Sequence, residues 1–306
     1  MAEPKRVEIV EVSPRDGLQN EKRTLTTGQK VELIGRAAAL GVRRVEITSF
    51  VRPDRVPQLA DAAEVAAAAR GVDVVSSALA LNLRGYERAV EAGVRDVNTV
   101  VLATETFSER NQGMSIAEAV AGVRTMRERA RRDGVSFTVT VSAAFGCPFE
   151  GEVTEESLRA VLAQLVDVGP DEISLADTIG VAVPTEMERR FGLLREMAPE
   201  LPMRVHLHDT RNTAVANAVA AVRAGVTVLD ASLGGIGGCP FAPGATGNVA
   251  TEDLIYLLER MGYRSGLDLD DAIGHARWLV GALGVPITGR VANVGGFPAA
   301  PEGTAA

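Results

Sequence analysis

The stretch LGVRRVEIT, residues 40–48, contains the unit from which this chain is built. A helical pattern that starts at Thr27 ends on Gly41, and the short β-branched run Arg43–Thr48 follows at once. Glycine commonly ends a helix because it adopts the left-handed backbone conformation without strain. The triplet AGV repeats this junction at residues 92–94 and 224–226. The sequence therefore predicts helices that alternate with the strands of a parallel sheet.

The alternation continues along the whole chain. The predicted strands are Arg6–Val12, Arg43–Thr48, Val74–Ala80, Asp96–Ala103, Ser136–Ala144, Glu172–Ala176, Met203–His208 and Val226–Ser232. The predicted helices begin near Thr27, Val56, Leu83, Ser115, Glu155, Pro184, Thr213 and Thr251, with a further one at Leu269–Leu283. Eight βα units predict an α/β fold, a closed TIM (β/α)8 barrel with an extra C-terminal helix. An open doubly wound sheet is the alternative, but no GxGxxG sequence opens the first helix.

The chain has no linker that would divide it into two domains. We expect residues 1–306 to form a single TIM-barrel catalytic domain, in which residues 294–306, rich in Gly, Pro and Ala, form a loose tail. Such barrels commonly occupy about 250 residues as one unit.

Composition limits the partners and the compartment that we expect for this protein. The net charge of −8 argues against nucleic acid or an anionic membrane as the main partner, because both require a basic surface. Two cysteines allow no disulfide framework and suit a reducing compartment. The start of the chain lacks a signal-peptide pattern, and no long apolar run follows. We expect a cytoplasmic protein.

Polar residues at the carboxyl ends of the predicted strands are the candidates for chemistry, because TIM-barrel active sites lie at that end. They are SPRDGLQNE (residues 13–21), Glu46, Asp177, Thr178, HLHDT (residues 206–210) and the glycine-rich loop that leads to Asn248. Within this set, Arg15, Gln19 and Thr178 are predicted to contact substrate.

A metal site is predicted at this end of the barrel. His206 and His208 stand two residues apart on a strand and therefore point to the same face. Asp16 and Asn248 follow the first and eighth strands, which are neighbours when a barrel closes. This mixed nitrogen and oxygen set suits Mg²⁺ or Mn²⁺. The alternative is two half-buried histidines bonded to carbonyl groups. Asp209, which points away, is expected either to support the metal ligands or to have a structural role.

Arg15 stands beside Asp16, where a cation stabilises a developing oxyanion. The alternative is a surface arginine in a turn. Glu46 lies on a strand expected to be buried on both faces, and an unpaired charge there is costly. A partner such as Arg15 would remove that cost. Asp177 is a carboxylate at the end of the sixth strand, and the same cost of burying an unpaired charge applies to it.

The two cysteines receive different predictions. Cys239 lies in GGIGGCPFAPGATGN, residues 234–248, whose six glycines allow motion, so we expect a lid that carries the thiol over the metal. The alternative is a structural loop with a free thiol. Cys147, after the fifth strand, is expected to be structural, and His275 to be a core or surface histidine.

These motifs resemble a known family. SPRDGLQNE (13–21), EITSFV (46–51), DTIG (177–180), HLHDT (206–210) and GIGGCPFAPGATGNVATED (235–253) are similar to 3-hydroxy-3-methylglutaryl-CoA lyases. The resemblance covers nearly the whole chain. The Arg-Asp and His-x-His elements belong to a metallolyase superfamily that also contains isopropylmalate and homocitrate synthases, whereas the loop around Cys239 is more specific to the lyases.

The resemblance implies a fold, a reaction and roles for the residues. It makes Asp16, His206, His208 and Asn248 the ligands of a divalent metal, and it assigns neutralisation of the enolate oxygen to Arg15. Cys239 becomes the mobile acid and base, supported by Glu46 and Asp177. The implied reaction cleaves a 3-hydroxyacyl-CoA to acetyl-CoA and a ketone product. The resemblance also suggests a homodimer.

The sequence departs from the family pattern in three places. Arg211-Asn212-Thr213 replaces a Tyr-Gly-Gln type of sequence, Ala176 replaces a glycine, and Arg55 replaces an aromatic residue. These departures leave the acyl group open, so a related 3-hydroxyacyl-CoA is an alternative substrate. A metal-dependent aldolase or Claisen-type synthase of the same superfamily is a second alternative, and a barrel that only binds a ligand is a third. A synthase would normally need an additional domain.

Overall fold

Eight parallel strands close into a barrel in the computed structural model, which describes residues 5–238 and 247–298. In chain order the strands are β1 (Glu8–Glu11), β2 (Arg44–Ser49), β3 (Val75–Leu79), β4 (Asp96–Leu102), β5 (Ser136–Ser142), β6 (Gly146–Cys147), β7 (Gly151–Glu152), β8 (Glu172–Asp177), β9 (Met203–Leu207) and β10 (Val228–Ala231). The barrel order is β1-β10-β9-β8-β5-β4-β3-β2, and β6 and β7 pair as a separate antiparallel hairpin. The predicted TIM barrel is confirmed.

Helices follow the strands. They are α1 (Thr27–Leu40), α2 (Ala62–Ala69), α3 (Leu83–Glu91), α4 (Glu105–Gln112), α5 (Ile116–Asp133), α6 (Glu155–Val168), α7 (Pro184–Met197), α8 (Ala214–Arg223), α9 (Thr251–Arg260), α10 (Leu269–Leu283) and α11 (Val291–Val294). Helix α10 is the predicted C-terminal addition. The helix predicted from Val56 begins as a short 3-10 turn, Pro57–Leu59, and α4, α11 and the β6–β7 hairpin were not predicted.

Local sequence explains where the helices begin and end. Helix α5 starts with the predicted capping box, in which Ser115 and Glu118 bond each other's backbone N–H groups. The Thr154 hydroxyl accepts from Ser157 N at the start of α6. Gly41 ends α1 with φ of 98°, which confirms the junction read from residues 40–48.

The main apolar core lies between the strands and the surrounding helices. The barrel interior, in contrast, contains buried charged side chains, among them Arg204, Glu172 and Asp230. Within the described residues no helix is long and apolar enough to cross a membrane. Of the predicted loose tail, residues 299–306 lie outside the described residues, and the exposed Phe297 packs 4.2 Å from the Arg260 guanidinium.

Candidate active site

A π-helical turn, Ser13–Gly17, follows β1 and presents two of the predicted site residues. The N–H groups of Arg15 and Gly17 both donate to Val12 O, at 3.1 Å. Such turns occur often at functional sites. Here the turn directs the neighbouring Arg15 and Asp16 side chains into the same cavity.

The two predicted histidines meet at the carboxyl end of the barrel. Strand β9 ends at Leu207, one residue earlier than expected, and His208 continues its line by pairing with Asn248. The Nε2 atoms of His206 and His208 are 3.1 Å apart, and Asp16 Oδ2 lies 3.8 and 3.7 Å from them. These three side chains form a group that could hold a metal ion.

Asn248 completes this group. Its Nδ2 donates to Asp16 Oδ2 at 2.9 Å and to Ile236 O at 3.0 Å. Its Oδ1 is buried and has no hydrogen-bond partner among residues 5–238 and 247–298. Gly237, at φ of 108°, packs so closely that a Cβ there would lie 2.5 Å from Asn248 Nδ2. The backbone before Cys239 therefore fixes the amide in place.

The donor set fits a divalent cation. Two imidazole nitrogens face one another beside a carboxylate, and a buried amide oxygen lacks a donor. Protein interiors seldom leave such atoms unpaired, so a bound cation accounts for the arrangement better than hydrogen bonds alone. The four residues predicted as ligands are thus brought together.

Asp230 is a functional residue that the sequence prediction missed. It lies on β10, and its Oδ2 is 2.9 Å from His206 Nδ1. A carboxylate at that distance fixes the orientation and tautomer of the imidazole, leaving Nε2 for a ligand. Asp209 accepts from Ala214 N, at the start of α8, at 2.9 Å, which is a structural contact of the kind expected for it.

Burial and neighbouring charges shift the pKa values in this group. Burial alone would raise the pKa of Asp16, but Arg15 and the two histidines lower it well below its usual range. Burial and the nearby His206 lower the pKa of His208 to about 4. Burial opposes protonation of His206 as well, but its hydrogen bond to Asp230 raises the pKa overall. Asp16 is therefore ionised, and His208 is neutral at pH 7, as a metal ligand must be.

Arg15 is held by two carboxylates and is not a surface residue. Its Nε and Nη2 contact Glu46 Oε2 at 2.7 and 2.6 Å, and its Nη1 contacts Asp16 Oδ1 at 2.5 Å. Glu46 is fully buried, and Asn98 donates to its other oxygen at 3.1 Å. The expected Arg15–Glu46 pair is therefore present, and Glu46 acts by positioning the guanidinium.

Asp177 ends β8, and its carboxylate binds the backbone of the following turn. Oδ1 accepts from Val181 N at 2.9 Å, and Oδ2 accepts from Ala182 N at 3.0 Å. Burial raises the pKa of Asp177 to about 6. Thr178 lies in the cavity and accepts from Ala143 N at 2.8 Å. The structure thus gives Asp177 contacts that support the turn carrying Thr178, and its catalytic assignment stays a prediction.

The cavity has a volume of about 850 Å³ and extends from this group toward the loops after β2, β3 and β4. Gln19 and Thr178, the predicted substrate contacts, both line it. Two of the departures from the family pattern, Arg55 and Ala176, line it as well. Arg211 instead donates to the carbonyls of residues 179 and 180 at 3.0 Å, so it supports the same turn as Asp177.

Three residues considered in the sequence analysis remain, namely Cys239, Cys147 and His275. Cys239 lies outside the described residues. Cys147 is buried and accepts from the Thr104 hydroxyl at 3.0 Å, as expected for a structural thiol. His275 is half-buried on α10, with Nδ1 3.4 Å from the Arg36 guanidinium.

The fold and site define a TIM-barrel enzyme with its chemistry at the carboxyl end of the strands. The HMGL-like family model matches residues 6–278, and the chain belongs to this family. An (R)-citramalyl-CoA lyase of Chloroflexus aurantiacus is 44% identical over 300 residues, covering 94% of this chain and 95% of the relative.

Solved structures agree with this placement. A hydroxymethylglutaryl-CoA lyase of Pseudomonas aeruginosa superposes with a TM-score of 0.91 at 39% identity, covering 96% of this chain and 98% of that one. An HMG-CoA lyase of Acinetobacter baumannii in complex with coenzyme A and 3-methylmalate has a TM-score of 0.90 at 37% identity, covering 96% and 98%. The protein is a carbon–carbon lyase.

Proposed function

We propose that the protein cleaves 3-hydroxy-3-methylglutaryl-CoA to acetyl-CoA and acetoacetate with a bound Mg²⁺ or Mn²⁺. The observation that carries this proposal is the meeting of Arg15, Asp16, His206, His208 and Asn248 in one cavity. The similarity to hydroxymethylglutaryl-CoA lyase supports the acyl group. Asp16, His206, His208 and Asn248 Oδ1 would hold the cation, which when bound supplies positive charge that polarises substrate oxygens.

The proposed reaction breaks the bond between C2 and C3 of the substrate. A base removes the proton of the C3 hydroxyl, the O–H electron pair becomes the C3 carbonyl, and the C2–C3 bond breaks. The electron pair of the C2–C3 bond passes into the thioester enolate, and a proton delivered to C2 completes acetyl-CoA. The Arg15 guanidinium, already fixed by Glu46, stabilises the enolate oxygen without reorganising.

We propose Cys239 as the group that delivers the proton. Cys239→Ser should retain the fold and lower kcat by about 10²- to 10⁴-fold, the usual range for a positioned acid or base. Cys147→Ser is the matched control, because this thiol is buried against Thr104 and should affect stability more than rate. Full activity of Cys239→Ser would remove the catalytic cysteine from the proposal.

Citramalyl-CoA is the second candidate substrate. Its carboxylate lies one methylene closer to C3 than in 3-hydroxy-3-methylglutaryl-CoA, and its cleavage gives pyruvate in place of acetoacetate. The 44% identity to an (R)-citramalyl-CoA lyase favours it, as does the position of Ala176 and Arg55 in the cavity wall. The relatives are named as lyases, so the aldolase or synthase alternative gains no support from them.

A parallel assay tests the proposal. The purified protein is incubated with each thioester, in chelator and after addition of Mg²⁺ or Mn²⁺, and acetoacetate, pyruvate and acetyl-CoA are measured. We expect acetoacetate formation that the chelator abolishes and the metal restores. A greater kcat/KM for citramalyl-CoA than for 3-hydroxy-3-methylglutaryl-CoA would make citramalyl-CoA the substrate instead. Full turnover without metal would contradict the metal site. A single catalytic domain, a homodimer and a cytoplasmic location remain part of the proposal.

A further inference from the structure

Glu11 is a buried acid that the proposed reaction does not use. It is the last residue of β1, and its side chain is fully buried. Val10 and Val12 pack in a small separate cluster, whereas Ile9, on the same face of β1 as Glu11, belongs to the main core. Glu11 pairs with no lysine or arginine among the residues that the structure describes. A carboxylate in an apolar layer is costly unless hydrogen bonds satisfy it.

Three hydrogen bonds satisfy the Glu11 carboxylate. Oε1 accepts from Ser13 N at 2.9 Å and from Leu233 N at 3.1 Å, and Oε2 accepts from the Thr251 hydroxyl at 2.7 Å. Ser13 begins the π-helical turn, Leu233 begins a 3-10 turn after β10, and Thr251 begins α9. Burial raises the pKa of Glu11, and these hydrogen bonds oppose the rise. One carboxylate therefore joins three segments that are separate in the sequence.

These segments carry two of the four residues of the metal group. The π-helical turn contains Asp16. Asn248 lies three residues before Thr251, and its Nδ2 donates to the carbonyl of Ile236, which directly follows the 3-10 turn. The two segments also touch, because a Cβ at Gly17 would lie 2.9 Å from the Ile236 side chain. The packing of the segments that Glu11 joins therefore sets the distance between Asp16 and Asn248.

The other buried carboxylates near the site act differently. Asp230 contacts the imidazole of His206, and Glu46 holds the guanidinium of Arg15, so each orients one side chain. Glu252 accepts from Gly234 N and so contacts the segment after β10. Glu11 contacts the backbone of that segment and of the π-helical turn at once.

We propose that Glu11 is a positioning residue that sets the spacing of Asp16 and Asn248 and thereby the affinity of the protein for its divalent cation. This inference rests on the proposed metal site. Without the carboxylate, Ser13 N and Leu233 N lose their acceptor, and the two segments can separate. Metal ligands have to be held to within about 0.5 Å, so a small separation is enough to weaken binding.

Titration of the metal-free protein with Mn²⁺ tests this role. Glu11→Ala should weaken Mn²⁺ binding by about 10- to 100-fold, the usual cost of losing a group that orients metal ligands. Glu11→Gln should restore most of the affinity, because the amide oxygen can still accept from Ser13 N and Leu233 N. Thr251→Val removes one of the three hydrogen bonds and should weaken binding by about threefold to tenfold.

Leu162→Ala is the control for a general loss of stability. Leu162 is fully buried on α6, which lies between β5 and β8 in the chain, on the far side of the barrel from β1. The cavity left by this substitution should destabilise the fold and leave Mn²⁺ affinity unchanged.

Hydrogen–deuterium exchange of the metal-free protein supplies a readout that needs no metal. Residues 13–17 and 233–236 should exchange faster in Glu11→Ala than in the wild type, whereas Leu162→Ala should leave both ranges unchanged. If Glu11→Ala does not fold, Thr251→Val decides the question, with faster exchange expected at residues 233–236.

The outcomes separate this inference from the proposed function. Absence of Mn²⁺ binding in the wild type would overturn the proposed metal site and the role of Glu11 toward it. Tight binding in the wild type, with unchanged affinity and exchange in Glu11→Ala and Thr251→Val, would overturn the role of Glu11 alone. An equal loss of affinity in Leu162→Ala would show that any destabilisation weakens the site, and would also overturn that role.

Discussion

Among the described residues, two clusters of buried charged side chains lie inside the barrel, and they differ in how their charges are compensated. The interior ionic cluster, Arg44, Asp96, Glu172 and Arg204, supplies its own cations: Arg44 contacts Glu172 at 2.9 Å, and Arg204 contacts Asp230 at 2.5 Å. The metal group has one cation, Arg15, against two carboxylates, Asp16 and Glu46. It also has an amide oxygen without a partner in the described residues.

The difference shows how one barrel separates stability from chemistry. In the interior cluster, Arg44 pairs with Glu172 and Arg204 pairs with Asp230, whereas Asp96 lies 3.8 Å from Arg44 and its carboxylate has no hydrogen-bond partner in the described residues. Removing either arginine would leave a buried carboxylate without its cation. The metal group leaves negative charge and lone pairs directed at a shared point in the cavity, where a bound cation would satisfy them. Asp230 joins the two groups, because it contacts both Arg204 and His206.

The largest expected effect tests the interior cluster. Arg204→Met would leave Asp230 and Glu172 without this fully buried partner, so we expect the free energy of unfolding to fall by about 3–5 kcal/mol. Urea unfolding measures the loss. Arg159→Met breaks an exposed pair with Glu196 and should cost less than about 1 kcal/mol. Equal losses in the two variants would show that burial does not distinguish these pairs.

Arg15→Met tests the metal group, and we expect it to lower the catalytic rate. We expect kcat to fall by about 10²- to 10³-fold, as when an oxyanion donor is removed, with a smaller change in KM. Glu46 keeps its hydrogen bond from Asn98, so circular dichroism should record a folded protein. Arg15→Lys should restore little activity, because lysine lacks the planar fork. A raised KM with unchanged kcat would make Arg15 a ground-state binding residue instead.

Asp230→Asn tests the residue that joins the two groups. Loss of the carboxylate beside His206 Nδ1 should weaken Mn²⁺ affinity by about 10- to 100-fold, measured by direct titration of the metal-free protein. Asp209→Asn is the control, since the asparagine amide oxygen can also accept from Ala214 N. Metal affinity that is unchanged in Asp230→Asn would mean that the imidazole is oriented by its packing alone.

Sequence patterns predicted the barrel because each βα unit carries its signal locally. The junction at residues 40–48 and the capping box at Ser115 depend only on neighbouring residues. His206 and His208 were also predictable, because strand periodicity and the position of barrel active sites are general rules.

The parts that were missed depend on register and closure. Asp230 reaches His206 because β10 pairs with β9, and this contact joins residues 24 positions apart. Arg55, Arg84 and Arg110 line the same cavity but come from separate segments, which follow β2, β3 and β4 and meet only when the barrel closes. The π-helical turn that directs both Arg15 and Asp16 inward has no distinctive sequence pattern, because Pro14 and Gly17 suit many turns.

The last prediction concerns the pH dependence of stability and rests on Glu252, a buried acid at the start of α9. Its Oε2 accepts from Gly234 N at 3.1 Å, and burial, together with the nearby Asp253 and Glu11, raises its pKa to about 8. Because the folded state holds this proton more tightly than the unfolded state, with its usual value near 4.5, stability should fall as pH rises between those two values.

Glu252→Gln should remove that dependence. The amide keeps an oxygen for Gly234 N and cannot ionise, so the free energy of unfolding should fall less steeply from pH 5 to pH 8, by at most about 1.4 kcal/mol per pH unit. Urea unfolding at several pH values measures the slope, with Glu64→Gln, an exposed residue of α2, as the control. Since Glu252 supports the backbone that leads toward Cys239 and does not line the cavity, kcat at pH 6 should change little. Parallel slopes for the wild type and both variants would mean that Glu252 stays ionised across this range, and that a cation or a donor beyond the described residues compensates its charge.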